Sequence, residues 1–167
     1  SSIAGNLDRQ IAKGRMTEAD KATILSNIHP TPELPAIGAC DLIIEAATEK
    51  EVIKQQIFAS LAPHLGKQTI LTSNTSSISI TRLAAATDRP ERFMGFHFMN
   101  PVPIMQLVEL IRGIATDQET FDTLATVVER LGKTSTSAED FPAFIVNRIL
   151  MPMINEAVYT LYEGVGT

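Results

Sequence analysis

The chain has 167 residues, of which 44% are hydrophobic and 20% charged, a composition typical of a folded, soluble domain. The 14 basic and 19 acidic side chains give a net charge of -5, which disfavours nucleic acid and anionic membranes as partners. The sequence has no apolar run of about 18 residues and its first residues do not resemble a signal peptide, so we expect no membrane association. The single cysteine, Cys40, excludes an internal disulfide and favours a reducing, cytoplasmic compartment.

The first 22 residues predict two helical stretches. Apolar residues recur at intervals of four, Gly14 interrupts the pattern, and Thr17 with the acidic residues after it restarts the pattern. The apolar residues at 24–28 predict a short strand, because prolines stop the pattern soon afterwards.

Strands and helices are then predicted in alternation. The predicted strands are 41–45, 69–72, 93–98 and 106–111. One helix is predicted from a capping box at Thr48 and Glu51 to Gly66, and another from a capping box at Thr116 and Glu119 to Gly132. A third is predicted to follow the polar SNTSS turn. The alternation indicates an α/β sheet with crossover helices.

A long helix is predicted at about 142–164. It is apolar on most sides, as expected for a helix buried between other helices, and the chain offers no such neighbours. We therefore predict an α/β domain over 1–139 and the first helix of an all-α domain over 140–167.

The stretch at 95–113 contains the most informative residues. If its halves pair as antiparallel strands about Pro103, His97 lies opposite Glu109, with the side chains in hydrogen-bonding reach. A carboxylate bonded to one imidazole nitrogen fixes the tautomer and makes the other nitrogen a better base. The alternative is a partly buried histidine, satisfied by a carboxylate, with no catalytic task.

Two strand-to-helix turns are candidate ligand sites, because open α/β sheets bind ligands at the carboxyl ends of their strands. In the SNTSS turn, Ser76 or Ser77 could contact a ligand or simply cap the following helix. In the turn at 45–50, Ala46 leaves room for a ligand and Glu49 and Lys54 could reach it; alternatively both charges are solvated.

The final helix carries Asn147 among apolar neighbours, where it either caps a backbone group or points into a site. The three histidines lie too far apart in sequence to suggest a metal site, and no GxGxxG or GxxxxGK[ST] pattern occurs. Residue patterns alone therefore predict an α/β fragment with a His-Glu pair, and name no substrate.

Three stretches resemble the L-3-hydroxyacyl-CoA dehydrogenase family, most closely its bacterial 3-hydroxybutyryl-CoA branch. They are SNTSSISI at 73–80, GFHFMNPVPIMQLVELI at 95–111 and DFPAFIVNRILMPMINEA at 140–157. The resemblance implies a partial Rossmann-type dinucleotide-binding sheet that uses NAD, followed by the first helix of an all-α domain that forms a homodimer. Because that family begins with a GxGxxG unit and continues its C-terminal helices, we expect the chain to be a piece of a longer one.

The resemblance also implies residue roles in the oxidation of a 3-hydroxyacyl-CoA to a 3-oxoacyl-CoA. His97 matches the catalytic base, Glu109 the carboxylate that orients it, and Asn147 an asparagine near the substrate oxygen. Ser76 matches a serine that touches substrate and cofactor. The matches to NAD-contacting positions are Ala46, Glu49, Lys54 and Asn100, and Lys13 matches a lysine near the CoA phosphates.

Two alternatives remain open at this point. One is a dehydrogenase of the same fold that acts on a small sugar acid such as L-gulonate. The other is a non-catalytic module that keeps the fold for binding or assembly.

Overall fold

The computed structural model describes residues 2–167, which form two compact units divided between Ala36 and Ile37. The first unit contains α1 (Ser2–Ala12) and α2 (Glu18–Ser26). The second contains the strands β1 (Leu42–Glu45), β2 (Ile70–Ser73), β3 (Phe93–Phe98), β4 (Leu107–Arg112) and β5 (Thr134–Glu139). Its helices are α3 (Glu51–Leu61), α4 (Ile80–Ala85), α5 (Gln118–Arg130) and α6 (Val146–Tyr162), with short 3-10 turns at Ala62–His64 and Pro90–Arg92. A further 3-10 turn, Leu34–Ile37, spans the division between the units.

The first unit confirms the two predicted helices and the break between them. Gly14 has a φ of 66°, and Thr17 forms a capping box with Asp20 at the start of α2. The strand predicted at 24–28 is wrong, because the capped helix continues through Ser26. The isoleucine and leucine of that stretch complete a helical turn, and local β propensity does not override a helix already nucleated.

The second unit is the predicted α/β sheet. Its five strands are hydrogen-bonded in the order β1-β2-β3-β4-β5. The neighbours β1 and β2, β2 and β3, and β4 and β5 are parallel, whereas β3 and β4 are antiparallel. All four predicted strands of this unit are present within one residue of their predicted bounds. The fifth, β5, was not predicted, since its sequence TSTSAE is polar and only Ala138 is buried in it.

Two apolar layers cover the sheet. On one face Phe58 of α3 packs edge-on against Phe93 of β3, with ring centroids 5.0 Å apart. On the other face Leu124 and Val128 of α5 pack against side chains of β3 and β4. Helix layers on both faces explain why the inner strands are apolar on both sides.

The predicted helix starts differ from the structure at three places. The α3 cap position is Lys50 with no side-chain bond, and α5 is capped by Asp117, which accepts the N–H of Thr120. Thr116 instead donates its hydroxyl to the Phe93 carbonyl, which ties the loop to β3. Ser79, rather than Ser76 or Ser77, caps α4. Serine and threonine bond many local backbone groups, so spacing alone does not select the cap.

The helix ends match the prediction only in part. Gly132 has a φ of 67° just after α5, as expected for a glycine that terminates a helix. By contrast, α3 ends at Leu61 and continues as a 3-10 turn instead of reaching Gly66.

The long C-terminal helix is present as α6, but none of its residues is buried. Its exposed apolar side chains include Met151, Met153, Ile154, Val158 and Leu161. Burial of this helix against further helices therefore stays a prediction. No helix in residues 2–167 is long and apolar enough to cross a bilayer.

Candidate active site

The predicted pairing of His97 and Glu109 is confirmed. The antiparallel register of β3 and β4 places these two residues opposite each other, and Nδ1 of His97 lies 2.7 Å from Oε2 of Glu109. Glu109 is fully buried and His97 is 6% exposed. The two side chains share one face of the sheet because strand side chains alternate, and the turn between the strands fixes their register.

The second carboxylate oxygen of Glu109 is also bonded. Its Oε1 accepts the backbone N–H groups of Ile145 at 3.0 Å and Val146 at 2.9 Å. Burial alone raises the pKa of Glu109, but the bonds from the imidazole and from the two backbone donors outweigh it and lower the pKa. Glu109 is therefore an acceptor at neutral pH, so its bond to the imidazole requires a proton on Nδ1.

A buried ion pair closes the carboxyl end of β1. The side chain of Lys54 in α3 is 1% exposed, and its Nζ lies 2.5 Å from Oε2 of Glu45. Glu45 also accepts the Ser73 hydroxyl at 2.8 Å and the Ala47 N–H at 2.8 Å. Burial raises the pKa of Glu45, while these partners lower it and prevail.

Glu49 extends this network to the turn after β2. Its Oε1 accepts the Thr75 hydroxyl at 2.6 Å and the Ser76 N–H at 2.8 Å, and its Oε2 lies 3.6 Å from the ammonium of Lys54. The alternative of solvated helix charges is wrong for Lys54, which is buried. Glu49 is 46% exposed, so it has both fixed partners and access to a ligand.

A pocket of about 230 Å³ opens where β1 and β2 end. It is lined by Ala46, Ala47, Thr48, Glu49, Lys54 and Asn74. Asn74 was not singled out from the sequence, although it directly follows a buried strand. Its Oδ1 accepts the N–H of Phe98 at 2.8 Å, and Phe98 is the residue after His97. This bond ties the wall of the pocket to the strand that carries the imidazole.

The remaining predicted site residues lie as follows. Ser76 is partly buried beside Glu49, and Asn147 is partly buried in the first turn of α6, one residue after Val146. Asn147 lines a second pocket, of about 430 Å³, with residues at 142–152. Asn100 is exposed and precedes a cis peptide bond to Pro101. Lys13 is exposed and belongs to the first unit.

The arrangement can perform proton transfer at a held imidazole beside a ligand pocket. Within residues 2–167, no cluster of three or more histidine, cysteine or acidic side chains could hold a metal ion. The titratable groups described at this site form two sets, the His97–Glu109 pair and the Glu45–Lys54–Glu49 network. A bond from Asn74 to β3 lies between them.

Comparison with known proteins identifies relatives along the whole chain. The 3-hydroxybutyryl-CoA dehydrogenase of Bradyrhizobium diazoefficiens is 61% identical over 166 residues, which are 99% of this chain and 57% of that protein. The 3-hydroxyadipyl-CoA dehydrogenase of Escherichia coli is 40% identical over 164 residues, which are 98% of this chain and 34% of that protein.

A solved structure has the same fold. The crystal structure of (S)-3-hydroxybutyryl-CoA dehydrogenase from Ralstonia eutropha superposes with a TM-score of 0.96 at 47% identity, covering 99% of this chain and 59% of that one. The chain thus spans less than two thirds of the length of these relatives. The family model for the NAD-binding domain of 3-hydroxyacyl-CoA dehydrogenase matches residues 1–141. With its strand order, its pocket at the strand ends and this match, the chain belongs to the NAD-binding domain family of the 3-hydroxyacyl-CoA dehydrogenases.

Proposed function

We propose that the protein catalyses the NAD-dependent, reversible oxidation of an L-3-hydroxyacyl-CoA, with 3-hydroxybutyryl-CoA as the preferred substrate class. The observation that carries the proposal is the buried His97–Glu109 pair with its 2.7 Å bond. Relatives named for 3-hydroxybutyryl-CoA and 3-hydroxyadipyl-CoA support the thioester class.

His97 is the general base in this proposal. Its Nε2 takes the proton of the substrate 3-hydroxyl, while Glu109 holds the ring through Nδ1 and stabilises the imidazolium that forms. When bound, NAD would supply the acceptor for the hydride from C3, so the products would be a 3-oxoacyl-CoA, NADH and a proton. Burial of the pair excludes water and strengthens its electrostatic interaction.

The pocket at the ends of β1 and β2 suits the reacting end of the cofactor. Its two alanines permit close approach, and Asn74 connects it to the strand of the base. We assign cofactor contacts to Ala46, Glu49, Lys54 and Asn100. The Lys54 ammonium also lies between two carboxylates, 2.5 Å from Glu45 and 3.6 Å from Glu49, and so helps to position Glu49.

Three further contacts are part of the proposal. Ser76, held by its N–H on Glu49, contacts substrate and cofactor. Asn147, beside the backbone donors to Glu109, contacts the substrate oxygen. Lys13 contacts the phosphates of CoA, because its exposed ammonium group can pair with their negative charge.

We also propose a domain organisation and a location. Residues 1–139 form the NAD-binding domain, and 140–167 begin a helical domain through which two copies dimerise, as the exposed apolar side chains of α6 support. Light scattering tests the dimer. The single cysteine supports a cytoplasmic location, which cell fractionation tests.

The test of the function is acetoacetyl-CoA reduction by NADH with the full-length protein. We expect turnover with acetoacetyl-CoA, none with the oxidised form of L-gulonate, and a loss of about 10²–10⁴-fold in His97→Gln. His64→Gln is the matched control, since His64 is exposed and lies after α3. Unchanged activity in His97→Gln would refute the assignment of the base.

A further inference from the structure

The amino end of α6 lies on the carboxylate of Glu109. One carboxylate oxygen accepts from the imidazole, and the other accepts from two successive backbone N–H groups, those of Ile145 and Val146. These N–H groups have no partner within their own helix, because the first donors of a helix point beyond its end. Glu109 thus joins the imidazole to a helix terminus.

The segment before α6 is built to hold this position. Asp140 is anchored on the start of α4, where it accepts the Ser79 hydroxyl at 2.7 Å and the N–H groups of Ile80 and Thr81 at 2.9 and 2.8 Å. From there the chain turns through Ala143 and Phe144, whose φ angles of 66° and 52° lie in the left-handed region. Two consecutive non-glycine residues in this region are uncommon and must be held by their surroundings.

Phe144 shows what holds the turn. Its side chain is 3% exposed, belongs to the apolar core and meets the His97 ring edge-on at a centroid distance of 6.0 Å. The same short segment therefore contacts both members of the pair, the imidazole through a ring and the carboxylate through backbone donors.

We propose that residues 140–146 are a positioning element for the base, and that the N–H groups of Ile145 and Val146 set the geometry and the working pH range of the His97–Glu109 pair. This inference rests on the proposed function, in which His97 is the base. It goes further, because it couples the placement of α6 to proton transfer.

The sign of the effect follows from electrostatics. A donor aimed at the pair opposes the uptake of a proton by the pair, so loss of one donor favours protonation and moves the acidic limb of the pH–rate profile to higher pH. Opposite Glu109 on β5 lies the uncharged Thr136. Three charged side chains of the neighbouring elements bond to other groups: Asp140 to α4, Arg148 to the Pro142 carbonyl, and Arg82 to Glu51. Glu139 lies farther along β5, opposite Arg112.

The test replaces one atom in the full-length protein. Incorporation of α-hydroxyvaline at Val146 exchanges the N–H for an ester oxygen and keeps the side chain. The matched control is the same replacement at Val158, which lies in the same helix, far along the sequence from Glu109. Two readouts are measured: the pH profile of kcat/KM for the NAD-dependent oxidation of 3-hydroxybutyryl-CoA, in which His97 acts as the base, and the downfield proton resonance of the imidazole Nδ1–H, which needs no turnover.

We expect the ester at Val146 to lower kcat about tenfold, to move the acidic limb up by about one pH unit and to shift the resonance, since a bond to a carboxylate is lost. The ester at Val158 should change none of these. Equal effects of the two esters, or no effect at Val146, would overturn the inference while His97→Gln still tests the proposed function. If His97→Gln keeps full activity, the proposed function fails and the resonance alone decides the inference.

Discussion

Replacement of Lys54 by methionine tests whether the buried network at the end of β1 is electrostatic. The substitution keeps an unbranched side chain in a site that is 1% exposed, and it removes the ammonium 2.5 Å from Glu45. Glu45 keeps the Ser73 hydroxyl and the Ala47 N–H, yet its charge then has no counter-ion. Removing one partner of a buried ion pair costs about 3–5 kcal/mol, a large part of the roughly 5–15 kcal/mol that keeps a domain folded.

Urea unfolding at pH 7, followed by circular dichroism, measures this cost. The control is Arg82→Met in α4, which breaks the more exposed ion pair to Glu51 of α3, the helix that also carries Lys54. It should lower the free energy of unfolding by at most about 1 kcal/mol. The double variant Lys54→Met with Glu45→Gln should be more stable than Lys54→Met alone, since it removes the unpaired charge.

The pH dependence gives a second criterion. The folded-state pKa of Glu45 is lowered, so the stability it contributes is present above its ordinary value of 4.5 and is lost as the pH falls through the folded value. The difference between the protein and Lys54→Met should therefore shrink below pH 4.5. A cost no larger than that of Arg82→Met, or a cost independent of pH, would refute the electrostatic reasoning.

Three further substitutions probe the base and the backbone. Glu109→Gln should lower kcat/KM by about 10²–10⁴-fold, because an amide does not stabilise an imidazolium; activity near that of the protein would contradict the role of the carboxylate. Gly95→Ala should lower the free energy of unfolding by about 1–3 kcal/mol, because the new Cβ would lie 2.8 Å from Cβ of Ile111. Gly66→Ala is the control in the same urea assay: its Cβ would meet nothing closer than 3.6 Å, so its stability should be nearly unchanged. Ala143→Gly should raise the melting temperature, because glycine adopts a φ of 66° without steric cost; a lower value would show that the turn is unstrained.

The sequence predicted the part of the site that depends on register. If a strand, a proline-rich turn and a second strand pair symmetrically about Pro103, His97 lies opposite Glu109, and the structure has this register. Period-two alternation then decides which face both side chains share. Local pattern was sufficient here because the two residues are only 12 positions apart.

Long-range contacts were beyond sequence patterns. The bonds from Ile145 and Val146 to Glu109 join positions 36 and 37 apart, and backbone donors leave no signature in side-chain identity. Burial of Lys54 could not be predicted either, because a lysine early in a helix is usually exposed to solvent. Its burial depends on the contact with Glu45, nine residues earlier in the chain. The polar edge strand β5 was not predicted because its side chains lack the apolar pattern that indicates a strand.

The order of the strands explains why the His97 imidazole and the pocket lie at the same edge of the sheet. The pocket lies at the carboxyl ends of β1 and β2, where parallel strands leave a crevice. Next in the sheet is β3, which is parallel to β2 and brings His97 to the same edge. The antiparallel strand β4 then places Glu109 opposite His97. Asn74 then bonds to the residue after His97, so the distance between pocket and imidazole is fixed by the sheet and does not depend on a flexible loop. In the proposed reaction the imidazole accepts the proton and the pocket holds the group that accepts the hydride, so the sheet would keep both acceptors in fixed positions around one carbon–oxygen unit.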